Sequence, residues 1–454
     1  MSRHASSLKI AVPFAAVAFG VVACGSSASH GASSATAASS AAAAPGAPPG
    51  GMPGGTSSPK HKATGTYVLA GGTAIRSNQT FIAAADDQSG VLVTNGGVLT
   101  LRNPTVKTAG GSKSSDESSF YGLDAGVLAQ SGGKVRISGG SITTRGAGAN
   151  GVFAYGSGAS ATVTGTRIKA TGQYAHGAMA SGGGTLKLTN LLISTKGASS
   201  AAIATDRGGG TVTVAGGTMT TSGYRSPGIY STGAIIVTGA HMTASGAEAS
   251  VVEGANSITV RNTVLKAAKQ HGVMLYNSMS GDASAGTGSY TMIGGSLTAQ
   301  SGPAFYVTNT RAVITLQRAA IVHAASGVLV RADNAGTGSG NTGAGTVTFT
   351  ADREKLTGNL IAAGTGTITA TIRDHTPLTG TVVTAALKLD ATSTWRVTGN
   401  STLTALSDPS SSGSSITNII GNGHTVTYAA SLAANAKLAD KTYKLAGGGE
   451  LKPA

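Results

Sequence analysis

A single cysteine, Cys24, stands in 454 residues, so no disulfide within the chain can staple the fold. Aromatic residues make up only 4% and charged residues 11%. Globular enzymes of this length usually carry about a quarter charged residues and more large apolar side chains, so an ordinary α/β catalyst is disfavoured. No apolar run after Val22 approaches the ~20 residues that a membrane helix needs. What is abundant is Gly, with 69 residues, together with Ala, Ser, Thr and Val. That mixture suits many short strands and tight turns. Net charge is +15, with Lys and Arg scattered rather than clustered in runs. Such a balance favours acidic partners, for example anionic glycans or cell-wall polymers, and gives no ground for specific nucleic-acid recognition.

The first 62 residues read as an address and a spacer. Arg3 and Lys9 form a basic n-region and Ile10 to Val22 an apolar h-region. Val21-Val22-Ala23-Cys24 then resembles the lipobox of bacterial lipoproteins, which implies a signal peptide over 1–23 and lipidation of Cys24. Residues 24–62 are nearly all Ser, Ala, Gly and Pro and are expected to be a disordered tether, because they cannot bury enough apolar surface to offset ordering entropy. The expected location is the cell membrane, through the lipid anchor, facing the cell exterior.

A repeat dominates the rest. A small residue followed by an apolar one recurs at Gly126, Gly151, Gly177, Ala202 and Gly228, with spacings of 25, 26, 25 and 26. Periods of this size indicate a solenoid. Each unit also contains two alternating apolar residues, a Gly or Asn, and a further apolar residue, as in Leu99, Leu101, Asn103 and Val106. Alternation means strand, and Gly or Asn at the corner suits a left-handed backbone. The predicted fold is therefore all-β: a single-stranded right-handed parallel β-helix with three strands per coil over 63–415, closed by a C-terminal β cap over 416–454. First-strand inward positions are expected at Val91, Val127, Val152, Ala178, Ile203, Ile229, Val251, Val273, Phe305 and Val328.

Gly126-Val127-Leu128-Ala129-Gln130-Ser131-Gly132-Gly133, Asn150-Gly151-Val152-Phe153-Ala154-Tyr155 and Thr205-Asp206-Arg207-Gly208 resemble the pectate-lyase-like right-handed β-helix superfamily, and within it the adhesin-type proteins of bacterial surfaces. The resemblance implies architecture more than activity, since lyases, hydrolases and adhesins share it. Pectate lyases use clustered acidic Ca²⁺ ligands. Here Asp116, Glu117, Asp124, Asp206, Glu253 and Asp282 fall in different coils without matching offsets. Polygalacturonases need paired Asp residues. Of their motifs only Arg167-Ile168-Lys169 has a counterpart, and there Ile168 belongs to the core while Arg167 and Lys169 face solvent. The His residues form no metal-like group, so neither a catalytic set, a metal site nor a cofactor site is assigned.

A binding face is more promising. Outward first-strand positions gather the scarce aromatics beside polar groups: Phe153, Tyr155, Asp206, Arg207, Tyr230, Tyr276, Asn277, Tyr306 and Arg331 are the expected ligand-binding residues. Insertions at Ala109–Asp124, Asn277–Ser289 and Ala332–Gly345 should rim this face, and a long loop lying over it would turn the stripe into ordinary core. The other faces carry Thr, Lys and Arg outward. Arg136, Lys187 and Ile236 interrupt the Thr column too often for an ice-matching array. The function expected is adhesin-like binding of a glycan or another surface. The alternative is a polysaccharide lyase or glycoside hydrolase acting on an anionic glycan, to be recognised by a carboxylate pair bridged by a basic residue on the aromatic face.

Overall fold

A computed structural model of the chain describes residues 60–454, apart from Met279, Ala319 and residues 336–342. The expected signal peptide, Cys24 and the expected tether up to residue 59 lie outside the described residues. What is described is a right-handed parallel β-helix, almost entirely strand.

From Thr64 to Ala324 the chain makes ten coils of three strands each, and the third strands stack into a ten-stranded parallel sheet of their own. Like positions lie over one another. Val91, Val127, Val152, Ala178, Ile203 and Ile229 pair in sequence along the first strands. Leu99, Val135, Ala161, Leu186, Val212 and Ile235 do so along the second. Val106, Ile142, Ile168, Ile193, Met219 and Met242 do so along the third. These columns form one continuous buried core. Each such side chain contributes about 1.5–3 kcal/mol by leaving water, but only when the next coil covers it.

The corner between second and third strands explains the Asn/Gly signature. Asn103, Asn190 and Asn262 have φ of 47°, 49° and 46°, and Gly139, Gly165 and Gly216 have 65°, 62° and 67°. These are left-handed conformations that other L residues enter at a cost. The glycine before the first strand has a different reason. A Cβ on Gly151 would stand 2.4 Å from the Gly177 carbonyl oxygen and 2.4 Å from Ile168 Cγ2. Close approach of consecutive coils, rather than φ, excludes a side chain there.

Two coils depart from the register expected from sequence. Ile229 pairs with Ser250, and Ser250 with Val273, so Ser250 and Val252 point inward. Val251 and Glu253 point outward, reversing the expected assignment. The physical reason is that the expected register would bury a carboxylate in an aliphatic core. Further on, Phe305 pairs with Val330 rather than Val328, a slip of two residues that puts Arg331 over Tyr306 and Asp333 over Thr308. A bulge between Val328 and Val330 absorbs the difference.

Past Ala324 the coils lose regularity, yet the second-strand stack continues in parallel through Gly345–Asp352, Thr367–Arg373, Val382–Leu389 and Ser401–Ser407. The one tryptophan, Trp395, is buried here, and its indole N–H donates to the Gly380 carbonyl at 2.9 Å. The last strands, Tyr443–Ala446 and Glu450–Pro453, stack in parallel on Ser415–Ile420 and Thr425–Tyr428 and also pair antiparallel with each other. At the opposite end the first coil carries Arg76 in an inward slot, paired with Leu101. Its guanidinium lies 5.2 Å from the Tyr67 ring centroid and donates to the Ile75 carbonyl. A charge pointing inward at a terminal coil blunts the open edge.

The coil contact at Gly151 is directly testable. Gly151→Ala should lower stability by about 1–3 kcal/mol, the usual cost of overpacking. Urea unfolding of the full chain measures it, and an unchanged midpoint would show that the coils can separate there without cost.

Candidate functional site

The first-strand face is crossed by two straps of the chain, and its chemistry follows from them. The first strap is residues 109–125. Asp86 and Asp87 anchor it from the preceding coil: Asp86 accepts from the Gly111 amide at 2.9 Å, and Asp87 accepts from the Ser112 hydroxyl and the Lys113 amide at 3.1 Å each. A short helix follows, Ser115–Tyr121, whose Ser114 hydroxyl accepts from the Glu117 amide and which ends at Gly122 with φ 76°. A Cβ on Gly122 would lie 2.9 Å from both Phe153 and Leu128. Leu123 and Ala125 join Leu92, Leu128, Phe153, Met179 and Ala204 in a second buried cluster. Asn150 donates to the Ser118 and Ser119 carbonyls, and the Ser181 hydroxyl to the Phe120 carbonyl.

Phe153 is therefore fully buried, and the expectation that it faces a ligand is corrected. Tyr155 is half-buried, edge-on to Tyr121 with ring centroids 5.2 Å apart. The strap's helix was not anticipated, although Ser114-Ser115-Asp116-Glu117 followed by Gly122 is a helix-start and helix-stop pattern legible in the sequence.

The second strap is the insertion after Tyr276, and it brings acids together that the sequence places far apart. Asp282 reaches back three coils to accept a 2.8 Å bond from Arg207 Nε. The Arg207 guanidinium also lies 3.6 Å from the centroid of Phe120, so this one side chain joins both straps. Its backbone amide donates to Asp206 Oδ1 at 2.8 Å. Glu253, turned outward by the register, is 2% exposed. It accepts from the hydroxyls of Tyr230 at 2.5 Å and Tyr276 at 2.9 Å, from the Ser278 amide at 3.3 Å, and from the Ser278 hydroxyl. Asp206, Glu253 and Asp282 do belong to different coils, yet they lie near enough for their charges to interact. The interleaved loop, and not coil spacing, assembles them. Of the three, only Asp206 was among the expected site residues.

The electrostatics follow from burial. Asp206 is 6% exposed. Burial first, then the neighbouring Asp282 and Glu253 carboxyls, push it up to about 8, so it keeps its proton at neutral pH. Burial, with Tyr276 and the carboxyls nearby, raises the Tyr230 hydroxyl far above its ordinary value, and burial and Glu253 raise that of Tyr276. Both phenols are fixed as donors. Within the first strap, burial brings Asp124 up to about 7. Burial likewise depresses His176 to about 4, and its Nδ1 accepts from the Ala201 amide at 3.0 Å.

A third group closes the face. The Tyr306 hydroxyl donates to Asp333 Oδ1 at 2.8 Å, and Arg331 Nε donates to Asp333 Oδ2 at 2.7 Å. Burial works against the Asp333 charge, yet these bonds and the Ala335 amide outweigh it and hold its carboxyl below the usual range. His271 lies against Tyr306, ring centroids 4.2 Å apart. Asn277 sits between the second and third groups, its carbonyl accepting from Asn309 Nδ2 at 2.6 Å. Among the described residues no three His, Cys, Asp or Glu side chains are placed to hold one metal ion. An open cleft of ≈ 510 Å³ lies beside this region, lined by Asn277, Thr287, Asn309, Thr310, Arg311 and Thr346 among others.

Compared with known protein families and with curated proteins, the chain matches none.

A carboxyl whose folded value exceeds its unfolded one binds a proton on folding, so it costs stability progressively as pH rises from the ordinary carboxylate range towards about 8. Asp206→Asn should therefore bring the urea midpoints at pH 5 and pH 9 closer together, mainly by raising the pH 9 value. Asp124 and His176 titrate in both proteins alike, so the comparison isolates Asp206. Identical pH slopes in variant and parent would mean that Asp206 is ionised in the fold.

Proposed function

We propose that this chain is an exported, lipid-anchored bacterial surface protein whose β-helix binds a glycan or another cell surface without turning it over. The observation that carries the reading is the open cleft beside Asn277 and Asn309. The exposed hydroxyls of Thr287 and Thr346 and the Arg311 guanidinium offer donors and acceptors of the kind that sugar hydroxyls require, on a wall of stacked strands. The adhesin-type resemblance of the coil sequences supports it, as does the Val-Val-Ala-Cys leader. Much of the aromatic stripe first expected to meet the ligand is engaged internally. Tyr230 and Tyr276 hold Glu253, and Tyr306 holds Asp333. Their role is to brace the straps that shape the cleft, and Arg207 and Arg331, 43% and 39% exposed, are likewise paired, with Asp282 and Asp333.

One observation favours a second reading, glycan cleavage. Asp206, protonated at neutral pH, lies with the Arg207–Asp282 pair, and a carboxylic acid beside a carboxylate is the minimum set for acid–base cleavage of a glycosidic bond. That chemistry requires the second strap to lift, since Asp206 is nearly inaccessible beneath it.

A glycan array and cell-surface binding assay of the full chain separates the two. Asn309→Ala/Arg311→Ala should weaken binding by roughly tenfold or more, and equal binding by parent and variant would remove the cleft from consideration. New reducing or unsaturated ends on a bound glycan, lost in Asp206→Asn, would replace the binding reading with the cleavage reading. For the anchor, Cys24→Ser should move the protein from the membrane fraction to the soluble fraction of the producing cells. Retention in the membrane would rule out lipidation as the tether.

A further inference from the structure

Between residues 88 and 324 the acids of this solenoid keep to one side. Seven acidic residues lie between 88 and 324: Asp116, Glu117, Asp124, Asp206, Glu248, Glu253 and Asp282. Every one belongs to a strap, a first strand or the corner leading into one, and none lies in a second or third strand. The second and third strands of the second to fifth coils carry seven outward cations. Arg102, Lys134, Arg136 and Lys187 stand on the second-strand face, and Lys107, Arg167 and Lys169 on the third. All seven are exposed, and the ion pairs among the described residues use none of them.

We propose that these two adjoining faces form a docking surface for a linear polyuronate, an anionic polysaccharide laid along the solenoid axis. It goes beyond the cleft, which lies among later coils. The register supplies the spacing. Lys107, Thr143 and Lys169 stack on consecutive rungs, as do Arg136, Thr162 and Lys187. With rungs about 4.8 Å apart, each column presents a cation, a hydroxyl and a cation over roughly 10 Å. An extended chain of acidic sugars offers the complementary sequence of carboxylates and ring hydroxyls. A phosphate polymer without sugar rings would leave the intervening hydroxyls idle. Single-stranded nucleic acid needs aromatic platforms for its bases, and no outward position on the second and third strands of these coils is aromatic. The absence of acids from the same faces leaves the field unopposed, so capture is strongest at low salt.

The test uses the full chain titrated with alginate, with poly(glycerol phosphate), oligothymidylate and neutral dextran as comparison ligands. Lys107→Gln/Arg136→Gln/Lys169→Gln/Lys187→Gln changes only exposed side chains. Lys355→Gln/Lys388→Gln/Lys437→Gln/Lys441→Gln removes the same charge elsewhere. Alginate affinity should fall about tenfold in the first variant, stay within twofold in the second, and weaken steeply with added salt. Equal losses in both variants would reduce the effect to net charge and overturn the proposal. So would the absence of alginate binding, or tighter binding of poly(glycerol phosphate) or oligothymidylate than of alginate.

Discussion

Everything in this molecule depends on each coil lying in register on the one before it. No coil has a core of its own. Val152 is buried only because Val127 and Ala178 lie on either side of it, and the same holds along all three strand columns. This requirement explains why the chain can do without disulfides, large aromatics and much charge. It also explains which residues are fixed. Small residues stand where consecutive coils touch, and Asn or Gly stands where the backbone turns left-handed. Elsewhere the outward positions are free to vary from Thr to Lys to Ile.

The same rule decides where chemistry can gather. A regular coil sends every other side chain outward at fixed spacing, so two groups on one face are neighbours only if they share a column. Arg207 and Asp282 share none. They meet because the insertion after Tyr276 folds back over earlier coils. Asp86 and Asp87 hold the other insertion in the same manner. The solenoid therefore acts as a flat support, and its two straps turn that support into a surface with buried acids, fixed phenols and a polar cleft.

This division also marks what the sequence reveals. The fold was legible because its signal repeats: one Gly-apolar step is weak, but Gly126, Gly151 and Gly177 at near-constant spacing with Asn or Gly at each corner leave little else possible. Register failed where the repeat changed length. Near Ser250 the pattern alone aligned Val251 with the core, whereas the penalty for burying Glu253 selects the other face. The site was only partly legible. Tyr230 and Tyr276 do stand at the outward positions that the repeat assigns them. Glu253 was hidden by the register error, and Asp282 by a loop whose path no periodicity describes. Phe153 was misjudged for the reason that made it attractive, since an outward aromatic is also what a covering strap needs to pack against.

The guanidinium at the first coil bears on assembly. A stack of identical rungs has no intrinsic length, and each new rung would be as welcome as the last. Arg76 breaks that equivalence, because a further coil laid on that end would have to strip water from a cation and find it a partner inside an aliphatic column. Among the described coils, growth of the stack at that end is thus opposed by this residue.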